Sequence, residues 1–218
     1  MKLLILSDVH YPIGSKETAL EIIKSVNPEQ IIFLGDVVDN YNSTNSLLDL
    51  WDDFLEFLAN NNSLEKSIFL YGDNDITDST TKRNELKTIS DFIKNKYKIE
   101  LLRTYSIGNM FFFHGNIEKS HIAEKMGYYG VKVANLINKN IVPNILASNI
   151  IKTYGTEDKY NFFGHIHYLG KIENIKTTFC GTLNKNLQVF GNNSLGYVVI
   201  NTENYNIPSF KNIEIMPL

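Results

Sequence analysis

Three apolar runs in this chain end in the same way. KLLILSD (Lys2 to Asp8), QIIFLGD (Gln30 to Asp36) and SIFLYGD (Ser67 to Asp73) each close on a carboxylate. An uninterrupted apolar run of this length reads as a strand buried on both faces, which is the habit of a parallel sheet. Amphipathic segments lie between the runs. SKETALEIIKSV places Ala19, Ile22, Ile23 and Val26 at helical spacing behind a Ser15 cap, Leu47 to Ala59 carries Trp51, Phe54, Leu55 and Leu58, and a third helix is expected over about Lys82 to Lys96. The order βαβαβα implies a parallel sheet with a ligand crevice at the carboxyl ends of its strands.

The second half changes character. NMFFFHG (Asn109 to Gly115) reads as another strand, and residues 116–151 read as helical, broken near Gly127, Gly130 and Pro143. NFFGH follows, and then LGKIEN, KTTFCG, LQVFG and GYVVIN, separated by Gly and Asn turns, suggest a second, antiparallel sheet. No repeat or linker divides the chain, so 1–218 is read as one α/β domain, with 116–151 as a helical cap inserted into it. A chain of 218 residues that is 43% hydrophobic can bury a single sizeable core.

Charge and cysteine usage narrow the function. The net charge of -3 provides no field that would gather nucleic acid or an anionic membrane, so neither is expected as a partner. Cys180 is the only cysteine, which suits a reducing compartment. The opening MKLLILSDVH reaches Asp8 and His10 too soon for a signal peptide, and no apolar run is long enough to span a bilayer. The expectation is a cytoplasmic protein; a homodimer stays open.

The chemistry gathers at the strand ends. Asp8 and His10 follow the first strand, Asp36 and Asp39 the second, and Asp73, Asn74 and Asp75 the third. His114 follows the fourth, and His165 and His167 the fifth, so four of the five histidines occupy such ends. A lone Asp at a strand end is ordinarily just a cap, but a parallel sheet would bring these together as mixed carboxylate and imidazole ligands. That mixture suits borderline divalent transition metals better than calcium. The number of ligands suggests two ions, with Asp36 as the candidate bridge between them.

In order and spacing these residues resemble the calcineurin-like metallophosphoesterases, whose pattern runs DxH, GDxxD, GNHD or GNHE, HG, GHxH. Here it stands as Asp8 to His10, Gly35 to Asp39, Gly72 to Asp75, His114 with Gly115, and Gly164 to His167. The resemblance implies two facing mixed β-sheets flanked by helices. It implies Asp8, His10 and His167 as ligands of one metal, Asp73, His114 and His165 as ligands of the other, and Asp36 between them. The cofactors would be two divalent ions, manganese first, with iron, zinc, nickel or cobalt as alternatives. The activity would be hydrolysis of a phosphodiester or pyrophosphate in a small phosphorylated molecule such as a nucleotide, by in-line attack of a metal-bridging hydroxide at phosphorus.

Two departures qualify the resemblance. Where the family has Asn and then a His that protonates the leaving oxygen, this chain has Asp73 and Asn74; Asn74 cannot act as an acid, and Asp75, Asp39 or a water would have to help. A shifted register with Asn74 as the ligand remains open, as does a role for Asp39 in orienting a ligand from behind it. The family's protein phosphatases also carry an Arg where Asn40 stands, so a protein phosphatase is not expected. The second departure is the stretch of about fifty residues between His114 and His165, much longer than an ordinary connection. Its position is similar to that of the helical cap in UDP-diacylglucosamine pyrophosphatases. His121, Tyr128 and Tyr129 lie in it as candidate substrate contacts, and Arg83 and Arg103 are the only arginines that could grip a phosphate. Two rival readings are a metal-binding scaffold that has lost turnover and a nuclease; the acidic charge and lack of a basic stripe weigh against the nuclease.

Overall fold

The structure is a computed structural model that describes residues 1–39, 46–75, 82–115, 155–187 and 194–218. The first half follows the expected alternation: β1 (Lys2–Leu6), α1 (Lys16–Val26), β2 (Gln30–Leu34), α2 (Leu47–Asn60), β3 (Ser67–Leu70), α3 (Lys82–Tyr97) and the short β4 (Leu101–Leu102). Strands β5 (Thr104–Ile107), β6 (Met110–Phe113), β7 (Tyr160–Phe163), β8 (Leu169–Ile172), β9 (Thr177–Cys180), β10 (Gly196–Asn201) and β11 (Ile213–Pro217) complete it. The proposed cap, with His121, Tyr128 and Tyr129, lies outside the described residues, as does Asn40.

Local chemistry accounts for the helix starts. The Ser15 side chain accepts from the Thr18 amide at 3.1 Å, as expected of the cap of α1. Ser46 and Asp49 form a reciprocal capping box at the start of α2, which satisfies amides that the helix itself cannot.

The strands form two sheets of order β11-β10-β1-β2-β3-β4 and β5-β6-β7-β9-β8. In the first, β1, β2, β3 and β4 run parallel. Period-two alternation sends Leu4, Leu6, Ile31, Phe33 and Phe69 into a core shared with the helices, and Leu3, Ile5, Ile32, Leu34 and Leu70 into a layer shared with Met110, Phe112 and Phe162 of the second sheet. Each run is therefore apolar throughout because each face of the first sheet has its own core.

The second sheet departs from the antiparallel reading of its segments and agrees with the mixed sheets that the resemblance implies. It is mixed, because β6-β7 and β7-β9 are parallel whereas β5-β6 and β8-β9 are antiparallel. GYVVIN is not in it: β10 pairs antiparallel with β1 in the first sheet and is buried over its first five residues. Such a run reads as a central strand, yet nothing local says which sheet it joins. LQVFG runs mostly outside the described residues. Because β6 and β7 are parallel, their carboxyl ends fall together, and the GH-containing loops can meet those that follow β1, β2 and β3.

Candidate metal centre

The loops after β1 and β2 remain paired beyond the strands, with the Asp8 amide donating to Gly35 O at 3.1 Å and the His10 amide to Asp36 O at 2.9 Å. Within this frame Asp8, His10, Asp36, His165 and His167 all take a left-handed backbone, φ 49° to 62°. Non-glycine residues adopt this region at a cost, and it concentrates where surrounding structure holds side chains for function. The turn after each strand thereby throws the polar side chain back over the strand end.

Glycines make room for the closeness. A Cβ on Gly72 would overlap Asp36 Oδ1 and His114 Nε2, and one on Gly164 would overlap Ser7 Oγ and Asp8 Oδ2. The glycine in each of these motifs is thus the floor on which the neighbouring motif's ligand rests.

Two sets of donor atoms result. Asp8, His10 and His167 form one, and Asp36, Asp73, His114 and His165 the other; within each set the atoms lie within 4.8 Å of one another. His167 Nε2 is 3.2 Å from Asp8 Oδ1, and His165 Nδ1 is 3.1 Å from Asp73 Oδ1. The sets adjoin at Asp36, whose Oδ2 lies 3.2 Å from His114 Nε2 and 3.8 Å from His10 Nε2. All seven residues named from the sequence as metal ligands are therefore brought together.

Neighbouring groups fix how these candidate ligands point. His114 Nδ1 is 2.8 Å from the carbonyl oxygen of Leu34, and His10 Nδ1 is 3.1 Å from Asp39 Oδ2. Both contacts make Nδ1 the donor and leave Nε2 directed at the cluster, the orientation a metal-ligating imidazole needs. Asp39 thus touches His10 from behind. Asp8 accepts from Ser7 Oγ and from the His165 amide at 3.1 Å, and Thr182 Oγ1 ties its carbonyl down at 2.7 Å. Ser7 and Thr182 were missed in the sequence because a buried hydroxyl beside a ligand has no motif of its own.

Asn74 and Asp75 have different places. Asn74 grips Asp36 with two donors, its amide to Oδ1 at 2.9 Å and its Nδ2 to Oδ2 at 2.7 Å. Asp75 is fully buried and accepts from the amides of Val37 and Val38, both at 2.9 Å, and of Gly72 at 2.7 Å. It clamps the second and third motifs together and does not face the cluster as a proton donor. Arg103 is exposed.

Carboxylates and imidazoles packed this closely shift one another's titration. Burial would raise the Asp8 carboxyl, but the pull of His167, His114 and His10 holds it well below the usual range. Burial acts on Asp73 in the same sense, and His114 and His165 likewise hold it far down. Burial would lower His114, yet Asp36, Asp73 and Asp8 raise it well above an ordinary histidine; His10 is raised in the same way by Asp39, Asp36 and Asp8. Asp75 moves the other way, pushed up to about 7 by burial and by the charge of Asp36.

The donor set fits a metal. His10 Nε2, His114 Nε2 and Asp73 Oδ1 are buried without a hydrogen-bond partner, although carboxylates or imidazoles lie within 4 Å of each. Orphaned donors directed at a common centre are costly unless a cation satisfies them. Fold and cluster together define a two-sheet α/β sandwich with a candidate metal centre at its strand ends.

The family model for the calcineurin-like phosphoesterase superfamily domain matches residues 1–204, and the chain belongs to that family. Among solved structures it is similar to an archaeal phosphodiesterase, with 17% identity, a TM-score of 0.53 and 100% of both chains covered. The phosphoesterase Yfce from E. coli is 17% identical with a TM-score of 0.48, over 93% of this chain and 89% of that one. A metallophosphoesterase from Sphaerobacter thermophilus is 14% identical with a TM-score of 0.47, over 100% and 88%. No curated protein matches the sequence. No helix among the described residues is long and apolar enough to cross a membrane.

Proposed function

We propose that the chain is a two-metal phosphohydrolase acting on phosphodiesters or pyrophosphates of small molecules, nucleotides among them. The observation that carries this reading is the pair of adjoining donor sets, with Asp36 within reach of imidazoles from both. Carboxylate and imidazole donors suit manganese, iron, zinc, nickel or cobalt, and manganese is the first to try. When bound, two such ions withdraw charge from the phosphoryl oxygens and make water a nucleophile at neutral pH.

The chain's own residues do the rest. Asp8, His10 and His167 would hold one ion and Asp73, His114 and His165 the other, with Asp36 spanning them in the grip of Asn74. Asp39 and the Leu34 carbonyl keep two imidazoles correctly turned. Hydrolysis joins a water oxygen to phosphorus and breaks a P–O bond, and the leaving oxygen takes up a proton. Asp39 is engaged with His10 and Asp75 with three backbone amides, so neither is placed to give that proton. Leaving groups stable as anions are therefore favoured. The archaeal phosphodiesterase of like fold is in keeping with a diester substrate. The lone buried Cys180 suits a cytoplasmic setting.

The test is hydrolysis of bis(p-nitrophenyl) phosphate by metal-stripped protein resupplied with manganese. Turnover should require the metal and fall at least about 100-fold in Asp36→Asn, which keeps the shape and removes the charge. Two ions bound per chain with no turnover of this or any nitrophenyl ester would favour the scaffold reading instead.

A further inference from the structure

We propose that Asp73 is a specificity-determining residue that turns the site against dianionic phosphomonoesters and toward monoanionic phosphodiesters, a refinement that rests on the phosphohydrolase reading above. Its position suggests it first. The side chains of Asp8, His10, Asp36 and His114 are between 0 and 3% exposed, His167 is 12% and His165 26%, whereas Asp73 is 44%. Asp73 is thus the ligand candidate most open to solvent. Its Oδ1 lies 3.3 Å from His114 Nε2 and 3.1 Å from His165 Nδ1, so this partly exposed carboxylate still belongs to the cluster.

Charge supplies the argument. Two divalent ions set against the three carboxylates Asp8, Asp36 and Asp73 leave one net positive charge for the substrate, and an amide at position 73 would leave two. Asp39, behind His10, takes the balance further down. Among the described residues, the ion-pair partners of Asp8, Asp36 and Asp73 are all imidazoles, which metal binding would occupy in neutral form. A phosphomonoester brings its second negative charge to a site that has little left to neutralise it. A diester brings one. A unit charge a few ångströms away at a partly solvated rim is worth about tenfold in discrimination.

Wild type, Asp73→Asn and Asp73→Glu would be compared with manganese for kcat/KM on bis(p-nitrophenyl) phosphate and p-nitrophenyl phosphate, after ion content is counted. Competing methyl phosphate and dimethyl phosphate would be titrated calorimetrically as non-reacting probes. The expected result is a diester-to-monoester ratio that falls about tenfold in Asp73→Asn and holds in Asp73→Glu, even where both variants are slower. Wild type should bind dimethyl phosphate in preference to methyl phosphate, and Asp73→Asn should narrow or reverse that order. An unchanged ratio in Asp73→Asn that retains its ions overturns the proposal while leaving the phosphohydrolase reading intact. Should Asp73→Asn fail to hold metal, tighter binding of methyl phosphate than of dimethyl phosphate by wild type overturns it alone. Absence of turnover in every form counts against the parent reading, and the calorimetric order still decides the role of Asp73.

Discussion

At the scale of single residues, the site depends on contact between groups far apart in sequence. Gly72 is the clearest case, because the volume it leaves empty is taken by Asp36 and His114. Gly72→Ala should leave the fold in place but displace both ligands. Ion counting on the purified variant is expected to show an affinity at least about 10- to 100-fold weaker, with an unchanged circular dichroism spectrum. Full retention of both ions would mean that this close approach is dispensable. The candidate ligands were legible because each stands at a strand end in a recognisable motif. What holds them was not. That Asn74 grips Asp36, and that Asp39 backs His10, depends on left-handed turns at Asp36 and His10 that residue types alone do not declare.

At the scale of elements, the strands of the first half were readable since a run buried on both faces is apolar throughout and is bounded by capped helices. The failures came where pairing is settled at long range. β10 and β9 are both short and largely buried, and their sequences do not reveal that one joins β1 and the other β7. The two-residue β4 and the tail strand β11 were not anticipated, being too short or too polar on one side to stand out. The layer between the sheets nevertheless makes a firm prediction. Phe162 is fully buried in it and stacks on Phe112, ring centroids 5.0 Å apart. Phe162→Ala should cost about 3–5 kcal/mol in denaturant unfolding; a loss under about 1 kcal/mol would show that the layer closes without it.

At the scale of the whole molecule, the candidate ligands follow three strands of one sheet and two of the other, so bound metal would tie the sheets together. In the metal-free protein the surrounding carboxylates raise both His114 and His10, so each holds its proton to higher pH than an ordinary histidine. Metal must displace those protons. Calorimetric titration with manganese near pH 7 should thus release protons, seen as an enthalpy that changes with the buffer's ionisation heat, and affinity should fall as pH is lowered. The sign for the metal-free fold is opposite. A raised histidine contributes stability below its unfolded value of 6.5, and that contribution is lost as pH rises through the folded value. The deciding measurement adds manganese in steps to metal-stripped protein and follows turnover of bis(p-nitrophenyl) phosphate against equivalents bound. The two adjoining donor sets predict activity that climbs to a break at two ions per chain. A break at one ion, or two tightly bound ions with no turnover of this activated diester, would contradict a two-metal phosphohydrolase.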